Sequence, residues 1–471
     1  LPGIVQAAIL CLPIVLVAFL CSVSIWPGLA VGGLALTFAV PVPILQRVEI
    51  TMGLAIMLTA GVMARGILAP ERSFILRSSE AKLMLLVAAI LAMRLLYDRP
   101  GSANFGAAGG SGEAFRFLLG AISFFTVAKV FSGEWERRSN QAAVLALAVI
   151  GTAANMAICI IQDPRFGVLG LFQRQMWLLC AFLLATVFAQ YQANGGLWLA
   201  MKAAAMSGAT LLMAAVSPHR SRPFFAVAMI LVAAWVYGQS RRVFLGLGVV
   251  ICLLMITVVS AGYRVPYLST RSLSTFIPVP DRQFEQLVWE YGLSDEKGWE
   301  SSFRALLFDL AWTHIKSHPL VGRGFVLDRE EVIWAMARSG AIEDAARGLA
   351  VSGCYHNSLL ELAVFCGIPA VVLFVLAYGI ILVRFVRLLP GIRDARLKWM
   401  ASGVLGYLAA ASGQMLMNGM AQDFFYVCVL LGAMQGIMLL QRRKEWEAAS
   451  LACETTDVSQ GDGHSQASLP L

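Results

Sequence analysis

Charge is scarce in this sequence: Asp, Glu, Lys and Arg make up 14% of its 471 residues, 59% are hydrophobic, and mean hydropathy is +0.74. A chain so poor in charge lacks the polar surface that a soluble globular domain needs, so that class is excluded. Metal-ligand patterns are missing as well. The outward loops assigned below contain no CxxC, HExxH or clustered acidic-histidine pattern, and His219, His314, His318 and His464 are not spaced as a metal set. No metal and no cofactor are expected. Most of the nine cysteines sit in apolar segments and only Cys354 lies in the large polar insert, so no disulfide framework is implied. The net charge of +8 and pI of about 9.1 are mostly explained by basic residues that flank apolar segments, and nucleic acid is not an expected partner.

What the chain does have is a succession of apolar runs, each close to the about 20 residues that a helix needs to cross the hydrocarbon. They fall near residues 4–25, 28–45, 50–69, 81–97, 114–131, 141–161, 168–191, 197–217, 223–238, 243–262, 357–383, 399–418 and 423–441. The expected fold is an all-α polytopic membrane protein with about 12 or 13 spans. Pro13, Pro27, Pro41 and Pro43 break or bound the first two runs, which read as two short spans or one broken one. The opening Leu1 reads as a trimmed or unusually initiated chain.

Lys and Arg in short loops are retained on the cytoplasmic side. Arg442, Arg443 and Lys444 follow the last run, and Arg384, Arg387, Arg393, Arg396 and Lys398 precede the penultimate one, so both sites read as cytoplasmic. The insert must then face outward. Four regions follow: an N-terminal bundle over 1–262, an outward loop domain over 263–356, a C-terminal bundle of three spans over 357–441, and a disordered cytoplasmic tail over 442–471. Arg174, Arg220 and Arg222 are outward cations that work against the charge rule, and an anionic substrate is one reason to keep them there.

Within the insert, helices are expected over 281–291, 302–316 and 327–349, with Pro278, Pro280, Gly298, Pro319 and Gly324 as punctuation. Arg304, Phe308, Ala311, Trp312 and Ile315 recur at helical spacing and make one aromatic and apolar face, for the membrane or for the domain. The insert ends in Tyr355-His356-Asn357, where the next apolar run begins. An imidazole at a membrane–water boundary takes a proton near neutral pH and suits chemistry on a lipid-borne substrate; the alternative is an interfacial cap. Glu361, inside that run, is either paired within the bundle or part of a site.

The order Arg304, Pro319-Leu320-x-Gly322-x-Gly324, His356-Asn357-x-x-Leu360 and Gly367-Ile368 resembles the O-antigen ligase and O-antigen polymerase superfamily. Ser221-Arg222 resembles that family's outward Ser-Arg element, and Gly170-x-Phe172 before Trp177 its Gly-x-Phe loop. The resemblance covers about residues 165 to 440 and departs at Gln173, Arg174 and Gln175, where the family usually carries asparagines, and at Phe365, where many members carry an acid. It implies a GT-C-like membrane glycosyltransferase, with the large helical loop in the periplasm before the last three spans and the C-terminus in the cytoplasm.

The implied reaction transfers a glycan from undecaprenyl diphosphate to a saccharide hydroxyl at the outer face of the bacterial inner membrane, inverting and without metal. Arg222 and Arg304 would hold the diphosphate leaving group as forks, with Arg220 auxiliary and Arg174 near diphosphate or sugar. His356 would take the acceptor proton or orient its hydroxyl, and Asn357 would contact substrate, position the histidine or cap its helix. Partners implied are the lipid-linked donor, a lipid A core or another glycan as acceptor, and membrane lipids. A ligase is favoured over an O-antigen or exopolysaccharide polymerase by family analogy. A flippase or other transporter fits less well, because such folds show related halves with midplane sites, whereas here polar residues gather in one outward loop.

Overall fold

A computed structural model describes residues 26–36, 39–40, 48–68, 78–98, 111–133, 138–162, 174–216, 222–239, 243, 246, 296–325, 355, 357–417 and 421–461. Helix α1, Trp26–Gly32, passes through a 3₁₀ turn, Gly33–Ala35, to an antiparallel pair of β1, Ala39–Val40, and β2, Val48–Glu49. That pair is the one strand contact among the described residues. The helices that follow are α2 Ile50–Leu68, α3 Ser79–Asp98, α4 Ser111–Phe131, α5 Arg138–Gln162, α6 Arg174–Asn194, α7 Leu197–Val216 and α8 Arg222–Val236. Beyond the insert's α9, Glu296–Ser317, come α10 Ser358–Cys366, α11 Ile368–Leu388, α12 Ala395–Met417 and α13 Ala421–Gly461.

The chain is an all-α polytopic membrane protein. Among the described residues, five helices are long and apolar enough to cross a membrane: Glu113–Phe131, Met176–Asn194, Leu197–Ala214, Ile368–Gly391 and Ala421–Ser450. Such runs become helices because a backbone in hydrocarbon must satisfy its own polar groups. The core is built on α13, which is buried along nearly its whole span and packs on α4. The two run parallel: Gly120 faces Phe425 near their starts, and Gly436 faces Phe131 toward their cytoplasm-assigned ends. A Cβ at Gly432 would lie 2.5 Å from the Phe124 carbonyl oxygen, so the missing side chain is what lets these backbones approach.

Polar contacts define two ends of the bundle. At one, Arg384 of α11 bonds Glu80 at the start of α3 at 2.5 Å, Lys444 of α13 bonds Asp394 at 3.3 Å, and Lys398 of α12 reaches Gln192 at the end of α6 at 3.3 Å. Asp98, Glu113, Asn357 and Asp423 terminate or open their helices at the opposite end. Arg222 opens α8 there too, because Phe225 one turn on packs against Gly413 near the end of α12.

The run 28–45, expected as a short or broken span, is broken: α1 ends at Gly32 and a 3₁₀ turn follows it before β1 begins at Ala39. Several expectations are corrected. The run 357–383 is two helices, split at Gly367, which takes φ +85° between Cys366 and a first turn of α11 that contains Pro369. The tail expected to be disordered from 442 is helical as far as Gly461, supported early by Gln441–Glu445 and Arg443–Glu447 pairs one turn apart. The middle loop helix starts earlier than expected, at Glu296, and its buried face is Leu307, Ala311 and Ile315; Phe308 and Trp312 are exposed. The run 4–25, nearly all of 243–262, and the loop helices expected over 281–291 and 327–349 lie outside the described residues.

Candidate active site

The start of α10 is locked by its own side chains. Asn357, extended at φ −153° and ψ 110°, is its N-cap, with Oδ1 accepting the N–H groups of Leu359 at 3.0 Å and Leu360 at 3.1 Å. Glu361, one turn further, reaches back: its Oε1 accepts the N–H of Tyr355 at 3.0 Å. Tyr355 and Glu361 are both buried. The residues on either side of His356 are therefore held in place, while His356 itself lies outside the described residues. Asn357 is placed as the helix cap, one of the roles expected for it. Glu361 lies within electrostatic reach of Glu113 and Asp423, and Glu113 is paired with Arg116 at 2.6 Å, so acidic side chains gather beneath the cap.

The end of α10 is closed by the loop. The turn 318–325 lays its main chain along the helix terminus: the Arg323 N–H donates to Val364 O at 2.6 Å and the Gly324 N–H to Phe365 O at 3.1 Å. These are carbonyls that a helix end leaves without donors. In return, Pro319 O accepts the first N–H of α11, that of Ile368, at 2.9 Å. Gly322 at φ +70° has the Phe365 main chain where a Cβ would stand, and Gly367 has that of Leu320. The spacing Pro319-Leu320-x-Gly322-x-Gly324 with Gly367-Ile368 thus encodes a backbone seam between loop and bundle.

The sequence reading missed the outer wall of this seam. Arg94, on the last turn of α3, donates through Nη2 to Gly322 O at 3.1 Å and pairs with Asp98 at 3.5 Å, while Asp98 accepts the Phe325 N–H at 2.7 Å. Phe325 then stacks on Phe365, with centroids 4.7 Å apart. The available signal was an Arg and an Asp one turn apart at the end of an apolar run, where unpaired charge is costly. Arg323 was passed over as well; its Nη1 lies 3.0 Å from His314 Nε2.

The remaining expected site residues distribute as follows. Arg222 is half-buried at the first residue of α8. Arg174 opens α6 at the same end, opposite Gln192. Arg304 lies in α9, which packs on α10 through the Leu307, Ala311 and Ile315 face. Arg220 lies outside the described residues. Asn357 and Glu361 are thus brought together at the start of α10, α9 packs against that helix, and Arg222 and Arg174 open other helices at the same end.

A helical membrane bundle whose polar side chains organise a loop at one end is the class these features define. Residues 208–375 match the family described as O-antigen ligase. That stretch is similar to an O-antigen ligase domain, consistent with the O-antigen ligase and polymerase superfamily, and it contains Arg220, Arg222, Arg304, His356, Asn357 and Glu361 but not Arg174, Arg94 or Asp98. No curated protein matched the sequence.

Proposed function

We propose that the protein is an O-antigen ligase-like glycosyltransferase that joins an undecaprenyl-diphosphate-linked glycan to a hydroxyl of the lipid A core at the periplasmic face of the inner membrane. The observation that carries this reading is a coincidence of position. The matched segment spans the loop, the seam and the cap on either side of His356. His356 takes the proton from the acceptor hydroxyl as its oxygen bonds the anomeric carbon, and the bond from that carbon to the diphosphate oxygen breaks on the opposite face. Configuration inverts, and the electron pair leaves with the diphosphate. Arg222 and Arg304, charged at any physiological pH, stabilise the growing negative charge, with Arg220 and Arg174 in support. The residues implied for this step include no metal ligand set, so the transfer is proposed to proceed without metal.

The experiment is reconstitution of the purified protein with a lipid-linked glycan and lipopolysaccharide core, without ATP. Joined product supports the ligase. Lengthening of the lipid-linked glycan with core left unmodified makes the protein a polymerase of the same superfamily, which uses the same donor and differs only in acceptor.

A further inference from the structure

Helix α9 has three faces where a helix lying on a protein in water has two. Leu307, Ala311 and Ile315 are buried against the bundle. Asp309, Thr313 and Lys316, on the far side, are exposed and polar. Between these two sectors, about 100° per residue around the axis, stand Phe308 and Trp312, 45% and 50% exposed. An apolar flank separating a protein-facing side from a water-facing side calls for a third medium. Leu320 and Val321, 73% and 60% exposed in the turn just after the helix, extend this flank.

What covers the flank follows from where it leads. Pro319 is hydrogen-bonded to Ile368, the first residue of α11, so Leu320 and Val321 stand beside the start of a membrane-spanning helix. The outer face of that helix continues in exposed Ile368, Val372, Val375 and Leu376. Lys316 holds its ammonium 5.6 Å from the centre of the Trp312 ring, on the edge where the apolar flank meets the polar side. An indole and a lysine at the edge between apolar and polar surface are the pair of residue types favoured at the headgroup level.

We propose that α9 and the turn after it lie in the plane of the bilayer surface, with Phe308, Trp312, Leu320 and Val321 seated at the boundary between headgroups and acyl chains and Asp309 and Thr313 in water. The occupant of this surface is lipid. The proposal rests on the membrane class of the bundle and not on the transfer chemistry, so it stands or falls separately from the ligase reading.

The test uses the full chain in nanodiscs of phosphatidylethanolamine and phosphatidylglycerol, with accessible native cysteines replaced by serine. A small fluorophore is attached in turn to Trp312→Cys, Leu320→Cys, Val375→Cys on the span and Thr313→Cys on the polar side. A nitroxide carried by lipid near the headgroup should quench the labels at Trp312→Cys and Leu320→Cys by about twofold, whereas aqueous iodide should quench Thr313→Cys by about twofold instead. A label at Trp312→Cys or Leu320→Cys that answers to iodide alone overturns the proposal. Lipid quenching at Thr313→Cys equal to that at Trp312→Cys also overturns it, since the helix would then be immersed on all sides. All labelled positions are exposed, so none removes a core contact.

Discussion

The two ends of the bundle use charge in different ways. At the end assigned to the cytoplasm, charged side chains mostly meet each other, Arg384 with Glu80, Lys444 with Asp394 and Arg443 with Glu447, and Asp394 also caps the start of α12. At the opposite end, they meet the main chain: Arg94 holds the Gly322 carbonyl, Asp98 the Phe325 N–H, Glu361 the Tyr355 N–H, and Asn357 two N–H groups of α10. Partly exposed pairs such as Lys444 with Asp394 contribute little and tolerate adjustment, while the Glu80 carboxylate is the buried member of this set. A buried carboxylate bonded to a particular amide fixes where a backbone segment stands, because leaving either group unsatisfied is costly. The first end is therefore an anchor and the second a template, and only at the second would small displacements reach a reacting atom.

The sharpest break between the ends is expected at His356. His356→Ala should lower glycan transfer by at least about a hundredfold while expression and membrane insertion stay normal, as measured in the reconstituted assay. Transfer close to the unaltered rate would remove the proton-acceptor role. Next in size, Arg222→Lys and Arg304→Lys should each cost about tenfold, since a point charge does not reproduce a bidentate fork. Full activity in both would reduce their role to charge or to none.

Asp98→Ala leaves the Phe325 N–H without its acceptor. It should destabilise the seam by about 1–3 kcal/mol, seen as faster proteolysis of the loop with the spans still protected. Equal protection of the loop would show that the template does not depend on this bond.

The anchor end should answer to acid. At Glu80, burial raises the carboxyl pKa, but its backbone and Ser79 hydrogen bonds and the charge of Arg384 outweigh that and hold it below its ordinary value. At Asp394, burial is likewise outweighed by the N–H groups of Arg396 and Leu397 and by Lys444. A carboxyl depressed in the folded state contributes stability that is present above its unfolded pKa and lost as pH falls through the folded value. Thermal stability should thus be flat down to about pH 5 and decline below it, and Glu80→Gln should flatten part of that decline without altering transfer at neutral pH. A decline unchanged in Glu80→Gln would assign it elsewhere. The smallest effect is expected from chelation: EDTA should leave transfer unchanged, and a loss restored by magnesium would overturn the metal-free mechanism.

Much of the bundle was legible in hydropathy alone. The runs 50–69 and 197–217 became Ile50–Leu68 and Leu197–Val216 because nothing but length and apolarity is needed to specify such helices. The split at Gly367 was not legible in the same way, since apolar residues continue on both sides and only the backbone changes direction. Phe308 and Trp312 share helical spacing with Ala311 and Ile315, and spacing alone does not divide a broad apolar face between protein and another medium. At the candidate site, the glycines could be read because they interrupt apolar sequence. Arg94 and Asp98 passed as the fringe of a span, because their meaning lies in Gly322 and Phe325, more than two hundred residues away.

The seam also bears on how far the loop is modular. Arg323 and Gly324 supply donors to α10, and Pro319 supplies the acceptor for the first amide of α11. A bundle deprived of the loop would expose these groups at a boundary with little water, at a cost of several kcal/mol apiece. Loop and spans are accordingly interdependent in assembly. A chimaera that exchanges loops between relatives to change acceptor preference should carry its junction upstream of His318, so that the turn travels with the helices it completes.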